Sequence, residues 1–198
     1  MSEELNPEIR DLNLAREAAS GSRKAFDKLV TIHQQSIYRL AYRFFNNEED
    51  TLDAVQEIFI RVFKAVRSFE GRSKFKTWIY RIAVNTCTTL AKDKSRSKKS
   101  FFQSIIDWFS RAPHPDPAKE VINREYQTEL QTAITRRISK IPEVYRLPLI
   151  LKDLEGKSLE EIGEILDLKE GTVKSRINRG RRMLQEALEP FFKERGDL

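Results

Sequence analysis

The sequence predicts an all-α protein of two small helical domains joined by a flexible linker, the C-terminal domain being a helix-turn-helix. Hydrophobic residues recur at intervals of three and four along most of the chain, which is the period of an amphipathic helix. Alternating β-branched runs are absent, and seven glycines and seven prolines are too few for the turns of a barrel or sandwich. We place the domains at residues 1–95 and 128–198, with the linker at 96–127.

The N-terminal domain is predicted to be a small helical bundle. Asn6-Pro7 supplies a capping side chain and a proline at the first helical position, and Ser20-Gly21-Ser22 ends this first helix. Hydrophobic stripes on three further helices suffice for one core. Their members are Phe26, Leu29, Val30, Ile37, Leu40, Ala41 and Phe44; then Leu52, Val55, Phe59, Val62, Phe63 and Val66; then Ile79, Ile82, Ala83 and Leu90, the last stripe beginning near Trp78.

The predicted linker combines a basic run with a proline-rich run. Basic residues predominate from Lys92 to Lys99, and alternating prolines between Ala112 and Pro117 prevent a continuous helix. The apolar segment Phe101–Phe109 lies between these runs. It is either a short helix on a neighbouring core or a contact surface for a partner.

The C-terminal domain is predicted to contain four helices. Helical periodicity resumes at Ala118 and continues to Lys140, where Ile141-Pro142 interrupts it. A second helix is expected from Glu143 to Asp153, with a kink at Pro148. Ser158-Leu-Glu-Glu161 then matches the capping box that begins a helix.

Residues 158–187 carry the pattern of a helix-turn-helix, whose second helix enters the major groove of DNA. Gly163 is expected where two helices cross closely, and Asp167 occupies the turn position in which glycine is usual. Aspartate tolerates the left-handed backbone of such a turn. The residues expected to face inward are Ile162, Leu166, Val173 and Ile177.

The outward face of the second helix is basic and polar. Lys174, Ser175, Asn178 and Arg179 share one face near its start and can reach base edges, arginine typically at guanine and asparagine at adenine. The remaining arginines would meet phosphates, which fix register without reading sequence. The alternative is a solvated basic face on a purely structural helix.

A second candidate surface is the loop Ser68-Phe-Glu-Gly-Arg-Ser-Lys-Phe-Lys76, followed on a helix by Trp78, Arg81 and Asn85. Aromatic rings that stack unpaired bases, together with cations along the backbone, are typical of single-strand binding. The alternative is that Phe69, Phe75 and Trp78 only pack one helix against the next.

A third surface is acidic. Asp50, Asp53 and Glu57 fall at spacings of three and four beside Gln56, outside the apolar face. Acidic residues near a helix start complement its dipole, which explains part of the pattern without a function. The stripe otherwise fits a basic protein surface or, less well without histidine, a divalent metal.

The composition narrows the functional classes. A formal net charge of +6 favours an anionic partner. The one cysteine, Cys87, and two histidines cannot form an internal disulfide or a Cys/His zinc cluster, so we expect no metal and no cofactor. No apolar run approaches the ~18 residues of a membrane span, and no secretory signal precedes the first helix, so we expect an intracellular protein.

Four motifs in this order resemble those of the sigma-70 family, specifically its extracytoplasmic-function (ECF) sigma factors. The motifs are Asp53-Ala-Val-Gln-Glu57, Thr77-Trp-Ile-Tyr-Arg-Ile-Ala-Val-Asn-Thr86, Ile141-Pro-Glu-Val-Tyr-Arg146 and Gly171-Thr-Val-Lys-Ser-Arg176. The resemblance covers residues 22–95 and 128–190. It implies that the first domain is sigma region 2, which binds the clamp helices of the RNA polymerase β′ subunit and melts the minus-10 element. The second domain would be region 4, which binds the β flap and the minus-35 element.

The resemblance also assigns residues to each role. It implies polymerase contact by Asp50, Asp53, Gln56 and Glu57. It implies binding of the melted minus-10 strand by Arg61, Phe69, Arg72, Ser73, Phe75, Lys76, Trp78, Arg81 and Asn85. It implies binding of the minus-35 duplex by Lys174, Ser175, Arg176, Asn178 and Arg179.

The resemblance further implies an anti-sigma partner, often membrane-anchored in this family. The chain would then be cytoplasmic, held at the inner face of the membrane by that partner without inserting itself. Two other hypotheses remain open from the residues alone. One is a dimeric helix-turn-helix regulator that binds palindromic half-sites. The other is a metal-dependent nuclease that uses Asp50, Asp53 and Glu57.

Overall fold

The computed structural model describes residues 6–93 and 124–195, which form eight α-helices and no strand. The predicted all-α class is confirmed. The bounds are α1 Pro7–Ala19, α2 Arg23–Phe45, α3 Glu48–Ala65, α4 Phe75–Asp93, α5 Arg124–Ile138, α6 Glu143–Leu149, α7 Leu159–Leu166 and α8 Glu170–Arg195. A 3₁₀ turn, Val66–Ser68, follows α3, and a π-helical turn, Ile150–Leu154, follows α6. The segment Phe101–Phe109 lies outside the described residues.

Local capping signals set the helix boundaries in the N-terminal unit, α1–α4. The Asn6 side chain accepts a hydrogen bond from the Glu8 N–H at 3.0 Å, directly ahead of Pro7. Asn46 ends α2 in the left-handed conformation with φ of 51°. Asn47 then caps α3, its Oδ1 accepting from the Asp50 N–H at 2.9 Å. These polar side chains satisfy backbone groups that a helix end leaves unpaired.

The core of the N-terminal unit follows the predicted stripes, with two exceptions on α3. Ile37, Phe44 and Val62 are buried, but Leu52 and Phe63 are 41% and 57% exposed. The edge of the Phe63 ring packs on Phe26, with centroids 5.0 Å apart. The prediction that Leu52 and Phe63 belong to the core stripe is therefore wrong. They form instead an exposed apolar line along α3.

Two glycines in the C-terminal unit, α5–α8, are sites of close approach. A Cβ on Gly180 would lie 3.0 Å from the Tyr145 carbonyl oxygen, so α8 crosses α6 at this glycine. A Cβ on Gly163 would lie 2.8 Å from the Leu168 carbonyl oxygen, inside the turn that follows α7. The predicted helix crossing at Gly163 is therefore wrong: this glycine makes room for the turn.

The helix predicted from Glu143 to Asp153 changes its winding after Pro148. The α-helical part ends at Leu149, and the Glu155 N–H reaches back to the Ile150 carbonyl oxygen at 3.0 Å, the five-residue step of a π-helix. Proline removes a backbone donor and crowds the preceding turn, which is a common cause of such irregularity. The π-helical turn carries the chain toward α7.

Polar and aromatic contacts join the two units along α2 and α4. The Glu155 carboxylate pairs with Arg43 of α2 and accepts a hydrogen bond from the Tyr80 hydroxyl of α4 at 2.8 Å. The Arg146 guanidinium lies 4.1 Å from the centroid of the Phe44 ring. The Lys157 ammonium of the C-terminal unit lies over the Tyr80 ring of α4, 4.4 Å from its centroid. The two units are therefore docked on each other in this structure.

Candidate nucleic-acid interfaces

The predicted helix-turn-helix is formed by α7 and α8. The Glu161 N–H donates to Ser158 Oγ at 3.0 Å, and the Ser158 N–H donates to Glu161 Oε2 at 2.9 Å, which completes the predicted capping box. Asp167 adopts the left-handed conformation with φ of 54° and ψ of 55°. The turn closes with a hydrogen bond from the Leu168 N–H to the Gly163 carbonyl oxygen at 2.9 Å. Local sequence signals therefore account for the geometry of this turn.

The recognition helix α8 presents the predicted polar face. Val173 and Ile177 are buried against the rest of the unit. The four residues predicted to reach base edges are all exposed, namely Lys174, Ser175, Asn178 and Arg179. Arg176 is half-buried. The Arg179 guanidinium lies 5.5 Å from the Tyr145 ring centroid, a cation–π contact that orients it at the surface.

Two of the arginines predicted to meet phosphates, Arg181 and Arg182, are paired within the chain. The Arg181 guanidinium donates to both carboxylate oxygens of Asp153, at 2.8 and 2.5 Å, and this hydrogen-bonded carboxylate raises the Arg181 pKa. Arg182 lies 3.7 Å from Glu186 one turn along the helix. Arg181 therefore also holds α8 to the π-helical turn, a role that the sequence did not indicate.

Three aromatic rings cluster where the 69–76 loop meets α4. The Phe69–Phe75, Phe69–Trp78 and Phe75–Trp78 ring centroids are 5.4, 5.1 and 5.4 Å apart. Phe75 is only 3% exposed, while Phe69 and Trp78 are half-buried. The expectation that Phe75 contacts a base is therefore revised, because its ring is inaccessible and supports the other two. Phe69 and Trp78 remain partly exposed.

The polar residues of the loop are mostly exposed. Arg72 pairs with Glu70 at 2.5 Å, and Lys74 pairs with Glu8 of α1 at 2.6 Å, a contact that raises the Lys74 pKa. Lys76 is exposed and Ser73 is half-buried. The loop therefore places cations beside the aromatic cluster, as single-strand binding requires.

Arg81 and Asn85 lie one turn apart on the exposed side of α4. The Arg81 guanidinium donates to the Glu164 carbonyl oxygen of α7 through Nε at 3.0 Å and Nη2 at 2.5 Å. A cation at the carbonyl end of a helix is favourable because the helix dipole is negative there. In this docked arrangement Arg81 is occupied by the C-terminal unit.

The predicted acidic stripe lies along α3. Asp53 is exposed, whereas Asp50, Gln56 and Glu57 are half-buried. Glu57 Oε1 accepts from Arg61 Nε at 2.7 Å, so two residues predicted to bind different partners pair with each other. The exposed Leu52 and Phe63 flank the stripe. Leu52 and Phe63 are eleven residues apart, which is three turns of helix, and Gln56 lies between them at helical spacing. This spacing could have indicated from the sequence that the three residues share the outer face of α3.

The described residues contain neither a metal-ligating cluster nor a membrane-spanning helix. No group of three or more histidine, cysteine, aspartate or glutamate side chains within residues 6–93 and 124–195 is arranged to hold a metal ion. Among the helices that the structure describes, none is both long and apolar enough to cross a membrane.

The fold and surfaces define a helical nucleic-acid-binding protein with a helix-turn-helix in one unit and an aromatic, basic loop in the other. Comparison with known families gives a more specific result. Residues 29–97 match sigma-70 region 2, and residues 131–184 match sigma-70 region 4.

Curated relatives agree with these matches. The chain is 35% identical over 196 residues to the ECF RNA polymerase sigma-E factor of Escherichia coli strain K12, covering 98% of this chain and 100% of the relative. It is 36% identical over 183 residues to SigW of Bacillus subtilis strain 168, covering 87% and 94%. It is 35% identical over 164 residues to SigE of Mycolicibacterium smegmatis, covering 83% of this chain but 62% of that longer protein.

Solved structures share the fold. CnrH, in complex with the cytosolic domain of CnrY, superposes with a TM-score of 0.65 at 25% identity, covering 91% of this chain and 98% of CnrH. RpoE of Bartonella quintana, in complex with the anti-sigma factor NepR, gives a TM-score of 0.62 at 23% identity, covering 84% and 98%. The chain belongs to the ECF RNA polymerase sigma factors of the sigma-70 family. This family consists of transcription initiation factors and is not known for enzymatic activity.

Proposed function

We propose that this chain binds core RNA polymerase, recognises the minus-35 and minus-10 elements of promoters and promotes DNA melting, with no catalysis of its own. The observation that carries this proposal is that one sigma-family chain has two different surfaces with the residue types that bind nucleic acid. One is the exposed polar face of α8 and the other is the aromatic, basic loop before α4. We retain the division into residues 1–95, 96–127 and 128–198 as part of this proposal.

The minus-35 duplex is assigned to the recognition helix. Lys174, Ser175, Asn178 and Arg179 project from the first turns of α8, opposite the buried Val173–Ile177 side. A helix of this kind fits the major groove, where each base pair presents a distinct pattern of donors and acceptors. The half-buried Arg176 is assigned to the edge of this surface, where it would meet a phosphate.

The melted minus-10 strand is assigned to the loop and the exposed side of α4. Phe69 and Trp78 are partly exposed, and Arg72, Ser73 and Lys76 belong to the same 69–76 loop as Phe69. The remaining contacts are assigned to Arg61, Arg81 and Asn85. Capturing an unstacked base costs a few kcal/mol of lost stacking, which contacts with the rings and cations offset. Phe75 is assigned to support of this surface because its ring is buried.

Polymerase contact is assigned to α3. The acidic stripe of Asp50, Asp53, Gln56 and Glu57 supplies charge, and the exposed Leu52 and Phe63 supply apolar area beside it. Interfaces commonly combine an apolar centre with a charged rim that orients the partner. This combination fits the proposed contact with the β′ clamp helices better than acidic residues alone. Region 4 is assigned to the β flap.

An anti-sigma protein is proposed as the regulatory partner. The relative CnrH is solved with the cytosolic domain of CnrY, which supports both a protein partner and a cytoplasmic location for this chain. A membrane-anchored partner would hold the chain at the inner face of the membrane. The chain itself is proposed not to insert into the membrane.

Run-off transcription tests the proposed function. Core polymerase is incubated with restriction-digested genomic DNA of the source organism, with and without the purified chain. We expect discrete transcripts only when both proteins are present, because the chain supplies promoter recognition and the polymerase supplies phosphoryl transfer. Unchanged transcript patterns on every template would contradict the proposal. DNA cleavage by the chain alone in the presence of Mg²⁺ would favour the nuclease hypothesis instead.

A further inference from the structure

Helix α1 contacts the 69–76 loop although it precedes the residues that match sigma-70 region 2, which begin at residue 29. Glu8 of α1 pairs with Lys74 at 2.6 Å. Leu12 Cδ1 lies 3.2 Å from the position that a Cβ on Gly71 would occupy. Gly71 has φ of 73°, so the loop bends sharply where Leu12 packs against it. The loop therefore rests on α1.

A buried polar pair lies beneath the same contact. Asp11 Oδ2 of α1 is 2.9 Å from His33 Nε2 of α2, and their side chains are only 8% and 5% exposed. Arg10 donates to the other Asp11 oxygen at 2.9 Å. The His33 ring centroid lies 5.4 Å from that of Phe75, the first residue of α4. The chain of contacts thus runs from Asp11 through His33 to the aromatic cluster.

Burial and neighbouring charges oppose each other at the Asp11–His33 pair. Burial lowers the pKa of His33, while the adjacent Asp11 carboxylate opposes that effect; Lys76 of α4 and Arg10 of α1 add to the lowering. Burying charged or strongly polar groups is costly, and apolar residues of similar volume are often equally or more stabilising. The Asp11 carboxylate lies 2.9 Å from His33 Nε2 without hydrogen-bond geometry, so what the pair adds is electrostatic attraction that favours the ring orientation with Nε2 toward Asp11.

The His33 ring supports the aromatic residues of the proposed strand-binding surface. Phe75 packs on His33, and both Phe69 and Trp78 pack on Phe75. A rotation of the His33 ring would therefore be transmitted through Phe75 to the two partly exposed rings. Recognition of a base by stacking tolerates little displacement, so sites of this kind depend on a supporting layer.

We propose that Asp11 and His33 are positioning residues for capture of the opened promoter strand: their buried contact orients Phe75 and, through it, Phe69 and Trp78. This inference rests on the proposed function of the 69–76 loop. It adds α1 to the machinery of strand capture as a brace that does not touch DNA.

A double variant separates positioning from ordinary stabilisation. Asp11→Leu together with His33→Phe replaces the pair by apolar side chains and leaves no buried charge unpaired, so the free energy of unfolding should stay near the wild-type value. The single variants should lose stability, because Asp11→Ala leaves the buried imidazole without the carboxylate and His33→Phe leaves Asp11 Oδ2 without its polar contact, while Arg10 still pairs with Oδ1. Glu17→Gln, an exposed carboxylate further along α1, is the matched control.

The assay uses holoenzyme reconstituted from core polymerase and each full-length chain. Its affinity is measured for a single-stranded oligonucleotide spanning the melted region of a promoter mapped by run-off transcription, and for the upstream duplex element. We expect the double variant to bind the single strand about tenfold more weakly, which corresponds to about 1.4 kcal/mol, with duplex affinity unchanged. Glu17→Gln should match the wild type in both assays.

A spectroscopic readout follows the rings directly. Trp78 and Trp108 are the two tryptophans of the chain, so Trp108→Phe leaves Trp78 as the reporter. In that background the double variant should show faster acrylamide quenching of Trp78. Wild-type strand affinity and quenching in a stably folded double variant would overturn the inference alone. Failure of the wild-type holoenzyme to bind the strand would instead remove the proposed function, and this inference with it.

Discussion

One buried carboxylate makes two of the contacts between the helical units, and Glu155→Ala should weaken their docking sharply. The Glu155 side chain is 5% exposed and pairs with Arg43, which is 25% exposed. It also accepts the Tyr80 hydroxyl hydrogen bond, and Tyr80 is fully buried. Removing the carboxylate leaves the buried Tyr80 hydroxyl without this acceptor and the Arg43 cation without its ion-pair partner, although Arg43 Nη1 still donates to the Leu154 carbonyl oxygen at 2.8 Å.

The expected loss is about 3 kcal/mol. Removing one partner of a buried ion pair costs roughly 3–5 kcal/mol, and partial exposure of Arg43 places this case at the lower end. The loss falls mainly on docking of the units, because Arg43 and Tyr80 belong to one unit and Glu155 to the other. Since 1.4 kcal/mol corresponds to a factor of ten, the open-to-docked ratio should rise about a hundredfold.

Alkylation of Cys87 measures this opening. Cys87 is buried on α4, and burial raises its pKa to about 12; the Arg146 cation of the C-terminal unit partly offsets that effect. Iodoacetamide should therefore react mainly through states in which the units separate. We expect the alkylation rate to rise about a hundredfold in Glu155→Ala, in proportion to the open population.

The matched control is Glu164→Ala. This exposed side chain lies on α7 at the same boundary, but the contact with Arg81 uses the Glu164 backbone carbonyl, which the substitution retains. Its alkylation rate should stay near the wild-type rate. A Glu155→Ala rate within twofold of wild type, in a protein whose far-ultraviolet circular dichroism is unchanged, would refute the assignment of docking energy to this carboxylate.

Three further outcomes are expected. Gly163→Ala should lower the free energy of unfolding by about 1–3 kcal/mol in urea titrations, because its Cβ would meet the Leu168 carbonyl; an unchanged value would contradict the turn geometry. Arg179→Ala should reduce run-off transcription about 10–100-fold only on promoters with an intact upstream element, since one base contact is lost; a uniform loss on all templates would contradict base readout. Burial lowers the Lys157 pKa, so between the folded and unfolded pKa values the unfolded state binds more protons than the folded state. The free energy of unfolding should therefore rise with pH up to the ordinary pKa of 10.5. Lys157→Met should lack this rise when urea unfolding is measured across that pH range.

The helix-turn-helix was predictable because its determinants are local. The Ser158–Glu161 capping box and the left-handed Asp167 both involve residues a few positions apart, and the structure has both. The alternation of buried and exposed residues along α8 follows the helical period as well. Such signals do not depend on how distant segments pack.

Local sequence patterns do not predict which aromatic residues of the 69–76 loop and α4 are buried. The sequence left two interpretations open for Phe69, Phe75 and Trp78, stacking on bases or packing between helices. Burial of Phe75 depends on His33 of α2, which is far away in sequence. No spacing rule distinguishes a ring that faces solvent from one that faces a neighbouring helix.

The exposed apolar line on α3 and the docking contact were missed for a similar reason. Leu52 and Phe63 are hydrophobic and fit a loosely drawn stripe, so composition placed them in the core. The Arg43–Glu155 pair joins residues of separate units, and no periodic feature of either segment indicates the other. Tertiary contacts of this kind follow from the fold and not from local propensity.

The central claim is that this chain reads a duplex with one unit and holds an opened strand with the other while bound to polymerase. Permanganate footprinting of a promoter mapped by run-off transcription tests it most directly, because unpaired thymines react. The account predicts reactive thymines in the downstream element only when chain and core polymerase are both present, with the upstream element protected but still paired. Equal reactivity with polymerase alone, or melting that survives loss of both Phe69 and Trp78 by alanine substitution, would contradict it.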